Sequence, residues 1–246
     1  MSEATVTGSP GLTTYRARRS VVAAGGVRGV ALMLHGGRQQ DERLVERTST
    51  SWLRMVALAR MLSRAAAPRG VAVELLRYRA RGWNARPGRE PAPVVDGRWA
   101  LEQLRDRYGP APIVLVGHSM GGRTACALAD AAGVSGVVAL APWLPPGEPV
   151  APAAGQRLVL AHGQADRWTS SAGSLEWSRR ARRAGSRVAR YDLGPVGHFM
   201  LSQVGQWNGL VRDAALGLLD VGVLPAEVVT AFTATGDDGL RLPPTW

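Results

Sequence analysis

The run Gly117-His118-Ser119-Met120-Gly121 sets one hydroxyl between two glycines, with the apolar stretch Ile113 to Val116 before it and a helical pattern after it. A G-x-S-x-G pattern between a strand and a helix is the setting of a nucleophile elbow: the chain turns so sharply that the serine backbone is strained, and a Cβ two residues to either side would clash. The hydroxyl then stands at a helix N-terminus, where backbone N–H groups and the helix dipole favour developing negative charge. The competing reading is a glycine-rich turn that binds phosphate or merely packs tightly. The longer LVGHSMGG in this context favours the nucleophile.

A serine hydroxyl attacks poorly unless a base takes its proton. Of the four histidines, His198 in LGPVGHFM follows the strand-like RVARYDL and precedes the last long helix, which puts it on a loop at the carboxyl edge of a sheet. It is the expected base. His118 adjoins the serine, but that adjacency turns its ring away; His35 and His162 each precede a glycine at a strand end and are expected to bond nearby loop backbone. The base needs an acid to hold its tautomer, and Asp166 in HGQADRW stands after a strand at the same edge. Asp192 competes for that role, but it falls within the following strand, where a structural carboxylate is expected. Two fixed N–H donors must hold the tetrahedral intermediate: the amide of Met120, and one from the loop after LMLHGG, Gly37 with Arg38 as the neighbouring candidate. Neither paired histidines at helical spacing nor a CxxC motif is present, so no metal is expected.

Taken together, VGHSMGG, the upstream LHGG and the downstream HGQAD and VGHFM resemble the α/β-hydrolase superfamily, in the order serine, acid, histidine. The resemblance runs from about Val30 to Asp220. It implies the α/β-hydrolase fold, a mostly parallel twisted sheet of about eight strands with helices on both faces, and Ser-His-Asp chemistry that needs no cofactor.

The elements that must position these residues follow from hydrophobic periodicity. TYRARRSVVAA could supply one or two antiparallel edge strands. Buried strands are expected at Val30 to Leu34 and over GVAVELLRY, APIVLVGHS, VSGVVALAPW, QRLVLAHGQAD and RVARYDLG. Trp52, Met55, Val56, Ala59 and Leu62 fall three and four apart, one face of a helix that Pro68 ends. Further helices are expected from about Val95 to Tyr108 and over MGGRTACALADAAG, SLEWSRRARRAG and SQVGQWNGLVRDAALGLLD. Alternation of strand and helix implies right-handed crossovers in one domain, with a core of about residues 15–220 and tails at 1–14 and 221–246. The C-terminal tail carries no clear pattern and is expected to be loosely ordered.

Many members of the superfamily carry a helical lid after the strand that here ends at VVALAPW. Only 14 residues, Pro142 to Gly155, precede the next strand, and five are prolines. No cap domain fits there, and the short loop is similar to capless cutinase- and polyester-hydrolase-type or dienelactone-hydrolase-like enzymes. The cleft is expected to be open, shaped by this loop and by RYRARGWNARPGRE, with Trp143, Trp168 and Arg38 as candidate substrate contacts and Trp83 in a nearby loop.

The formal charge of +11 raises the question of nucleic acid. All the basic side chains are arginine, and apart from RRARRAGSR they are scattered, so that run reads as a solvated helix face and nucleic acid is not the expected partner. The lysine-free, Ala/Gly/Arg-rich bias is that of a GC-rich genome of the actinobacterial kind. No apolar run spans a membrane and no secretory leader is evident, so no membrane partner and a cytoplasmic location are expected. The single cysteine, Cys126, reads as a small buried hydrophobe. The expectation is a serine hydrolase acting on a small-molecule carboxylic ester or thioester. Its alternatives are an acyltransferase or lactone-forming enzyme with the same triad, and a non-catalytic hydrolase-fold binding protein.

Overall fold

Runs of Val, Leu, Ile and Ala without polar interruption have no face to offer water, and they become strands covered on both sides. The computed structural model describes residues 8–15, 26–150 and 154–244. Seven strands form one sheet among the described residues: β1 (Gly11–Tyr15), β2 (Gly29–Leu34), β3 (Val71–Arg77), β4 (Ile113–His118), β5 (Val134–Leu140), β6 (Arg157–His162) and β7 (Arg187–Asp192). Their spatial order is β1-β3-β2-β4-β5-β6-β7, antiparallel only at β1. Every residue of β2 and β4 is buried, as central parallel strands must be. The residues from 16 to 25, which include all but Thr14 and Tyr15 of the segment where edge strands are expected, lie outside the described residues.

The crossover helices are α1 (Thr50–Ala66), α2 (Ala92–Tyr108), α3 (Met120–Ala127) and α4 (Ser171–Arg183), and after the last strand come α5 (Val204–Leu218) and a short α6 (Ala226–Thr233). The five residues expected on the apolar face of α1 are all buried, and Pro68 lies in the 3-10 turn just beyond the helix. Cys126 is buried in α3, and burial raises its thiol pKa. No helix among the described residues is long and apolar enough to cross a membrane. The carboxyl ends of β2, β4, β6 and β7 converge on one edge, and no separate cap covers it among the described residues.

Both expected tails carry structure. β1 lies largely inside the N-terminal one, pairing Gly11 to Tyr15 with Arg77 to Val73. The C-terminal segment is not loose: Val228, Ala231 and Leu240 are buried, and the segment runs along β7, where Arg190 N–H donates to Gly239 O, Asp192 N–H to Leu242 O and Leu242 N–H to Arg190 O. Its anchor is the fully buried guanidinium of Arg190, which donates to Leu240 O, Ser171 O and the hydroxyls of Ser171 and Ser174. The arginine run of α4 differs likewise from a merely solvated face. Arg179 pairs with Asp237, and Arg182 donates to the carbonyls of Gly236, Asp238 and Ala231. These contacts are long-range and irregular, so no local periodicity announces them.

Candidate active site

Ser119 directly follows β4 and caps α3 at φ 56° and ψ −118°, a conformation that a non-glycine residue holds only where its surroundings force it. The flanking glycines account for that force. A Cβ on Gly117 would run into the carbonyl of Gly121, and one on Gly121 into the carbonyl of Leu34, so the elbow closes only on bare backbone.

The hydroxyl of Ser119 lies 3.0 Å from His198 Nε2, and His198 Nδ1 lies 2.7 Å from Asp166 Oδ2. A carboxylate only accepts, so Nδ1 carries the proton and Nε2 presents its lone pair to the serine hydroxyl. Both Ser119 and His198 are buried but for a small exposed fraction. Burial pushes the Asp166 carboxyl up, but the hydrogen bonds from His162, His198 and Thr169 outweigh it and hold the pKa well below the usual carboxylate range. Asp166 Oδ1 accepts from the amides of Trp168 at 2.7 Å and Thr169 at 2.9 Å, while Oδ2 accepts from the Thr169 hydroxyl at 2.7 Å. The structure thus brings Ser119, His198 and Asp166 together. Asp192 is elsewhere, accepting from Gln164 and from the amide of Gly194.

The other three histidines are fixed in the surrounding shell. His118 is buried, its pKa pushed down to about 3 chiefly by burial, and its Nε2–H donates to the backbone carbonyl of His198 at 2.9 Å. Its ring meets no atom of the serine hydroxyl and instead tethers the loop that carries His198. His35 donates to Gly36 O at 2.7 Å and accepts from the amide of Tyr78 at 3.3 Å, the backbone role expected of it. His162 departs from that expectation: its partners are side chains, Asp166 Oδ2 and the Thr169 hydroxyl, each at 3.3 Å. Thr169 went unnoticed in the sequence, although an Asp followed three residues later by Thr is a turn signal that could have marked it.

The loop after β2 lies against the elbow, so close that a Cβ on Gly36 would stand 3.3 Å from that of Ser119. The amides of Gly37 and Met120 have no hydrogen-bond partner among the described residues, whereas the amide of Arg38 is committed to Arg81 O at 2.9 Å. Of the two candidates in the loop, Gly37 alone has an N–H to spare. The Arg38 side chain is 71% exposed and only 3.9 Å from Asp41 at its nearest.

Aromatic side chains wall the site. Trp168, 72% exposed, stacks on the His198 ring at 6.5 Å, and Phe199 meets both Trp168 and His198 edge to face. The amide of Trp143 donates to Ser119 O at 3.1 Å, and its ring meets that of Trp83 at 6.2 Å. The guanidinium of Arg123 lies over both indoles, 3.9 Å from Trp83 and 4.4 Å from Trp143, and makes a two-pronged bond to Glu148 at 2.7 and 2.5 Å.

The sequence matches the model of the family described as "Alpha/beta hydrolase family" over residues 31–245. No curated protein matches it. Among solved structures, the fold is similar to an alpha/beta hydrolase enzyme from a Medee basin deep-sea metagenome library, with TM-score 0.62 and 18% identity over 86% of this chain and 93% of that one. It is similar also to esterase 2 of Thermogutta terrifontis in its butyrate-bound form, with TM-score 0.63 and 17% identity over 88% and 91% of the two chains. An alpha-beta serine hydrolase homologue from Coxiella burnetii gives TM-score 0.58 and 15% identity over 83% and 91%.

Proposed function

The chain belongs to the alpha/beta hydrolase family, and from that premise we propose that it cleaves a carboxylic ester or thioester through an acyl-enzyme on Ser119. The observation that carries this reading is the unbroken line of hydrogen bonds from Ser119 through His198 to Asp166. A pure binding protein needs no serine held in a strained turn against an imidazole.

In this reading Ser119 Oγ attacks the carbonyl carbon as its proton passes to His198 Nε2. The amides of Gly37 and Met120 hold the oxyanion, at the positive end of α3. Asp166 keeps Nδ1 protonated and stabilises the imidazolium without taking its proton. His198 then returns the proton to the leaving oxygen or sulfur as its bond to carbon breaks. A water molecule, deprotonated by the same imidazole, releases the acyl group. Esterase 2 of Thermogutta terrifontis, which shares the fold, is known phosphonylated by cyclosarin and bound to butyrate, and both support serine-type ester chemistry here.

A fluorophosphonate probe tests the reading. Covalent labelling of the wild type together with loss of labelling in Ser119→Ala is the expected result; an unlabelled wild type that turns over no short-chain ester overturns it.

A further inference from the structure

A half-buried cation is costly to keep unless something answers its charge. Among the described residues other such arginines have polar partners: Arg79 has Asp96, Arg123 Glu148, Arg157 Asp220, and Arg190 hydroxyls and carbonyls. Arg54, on the second turn of α1, differs. It is half-buried, it has no carboxylate within ion-pair distance among the described residues, and its guanidinium carbon stands 5.6 Å over the ring of Phe199. Burial alone lowers its pKa, with no acid opposing. The Phe199 ring lies 5.4 Å from that of His198, so the cation is at most about 11 Å from the catalytic imidazole.

The side of the scissile bond follows from the chemistry. His198 must hand its proton to the leaving group, so the leaving group lies on the imidazole's side of the carbonyl carbon. Phe199 packs on that imidazole, and Arg54 lies over Phe199. Resting on the serine-hydrolase reading, we propose that the substrate's leaving alcohol or thiol carries an anionic oxygen group, a carboxylate or phosphate, that pairs with Arg54. Serine Oγ bonds to the acyl carbon, the bond from that carbon to the leaving oxygen or sulfur breaks, and the departing anion takes the proton that Ser119 gave up. The formal charge of +11 raises the local concentration of such anions around the whole molecule, and Arg54 supplies the local contact.

The experiment compares acetate esters of three primary alcohols of equal length, ending in a neutral amide, a carboxylate or a phosphate. In the wild type, kcat/KM for at least one anionic ester is expected to exceed that for the amide by about tenfold or more, the worth of one charge-assisted contact. The anionic arm that wins identifies the source. In Arg54→Gln that ratio is expected to fall to near one, in Arg54→Lys to be partly kept, and in Arg64→Gln, an exposed arginine further along the same helix, to stay at the wild-type value. A wild-type ratio near one, or a ratio that Arg54→Gln leaves unchanged because all three esters fall together, overturns the proposal; the latter assigns Arg54 only to packing against Phe199. A wild type labelled by fluorophosphonate with a ratio near one removes this inference alone, whereas failure of labelling and of all ester turnover removes the hydrolase reading with it.

Discussion

His162 places its Nε2 3.3 Å from Oδ2 of Asp166, the same oxygen that His198 meets at 2.7 Å. One carboxylate oxygen thus stands between two imidazoles. Burial lowers the His162 pKa against the opposing pull of Asp166, so the ring is a neutral donor that fixes where the carboxylate points. His162→Gln, which can still donate, is expected to cost less than His162→Leu, which cannot. Loss of one hydrogen bond to a charged group corresponds to about tenfold in kcat with little change in KM. A fall confined to KM in ester kinetics would speak against this positioning role.

Asp166→Asn keeps the shape of the site but offers His198 a donor where it needs an acceptor. Nδ1 then accepts from the Asn amide, the ring proton sits on Nε2, and the imidazole has no lone pair to offer Ser119. A drop of about 10³- to 10⁴-fold in kcat is expected, with the protein folded as judged by circular dichroism. Activity within about tenfold of wild type would mean that Asp166 does not set the tautomer of the base.

Arg123 and Glu148 form an ion pair whose side chains are only 12% and 7% exposed. Removing one partner leaves the other charged and buried. Arg123→Leu and Glu148→Leu are each expected to lower unfolding stability by about 3 kcal/mol, and the double variant by less than the sum, in urea titrations. Additive losses would show that the two charges do not depend on each other.

His35 is fully buried and neutral, its pKa pushed down to about 4 by burial, against the bond to Gly36 O that raises it. In the unfolded chain it titrates near 6.5, so below that pH the unfolded state binds a proton that the folded state refuses. Stability therefore falls as pH drops from about 6.5 toward 4, by about 2.5 kcal/mol at pH 4.5 from this ring alone. In His35→Asn the slope of unfolding free energy against pH over that range should be shallower by about one proton. An unchanged slope would assign the acid sensitivity to other groups.

The positions of Ser119, Asp166 and His198 were legible because each follows a strand that can be read from its own apolar run, and parallel strands deliver their carboxyl ends to one edge. The loop of Gly37 follows β2 and reaches the same edge. Thr169, the side-chain partners of His162 and the clamp of Arg123 between two tryptophans were not legible, because each depends on contacts between loops that no period describes. The proline-rich segment after β5 was read as too short for a cap, and chain length alone sufficed there. The order of the tail after Val221 is not legible in the sequence, because its few apolar residues carry no repeat and what holds it is a buried guanidinium on another strand.

That tail has a consequence beyond its own order. β7 is the last strand of its side of the sheet, and the backbone groups of Arg190 and Asp192 that face outward are taken up by Gly239 and Leu242. A chain cut before Gly239 would leave those donors and acceptors bare along the border strand, free to pair with a strand from a neighbouring molecule. Removing those last residues is therefore expected to promote self-association, seen as turbidity before any change in ester turnover.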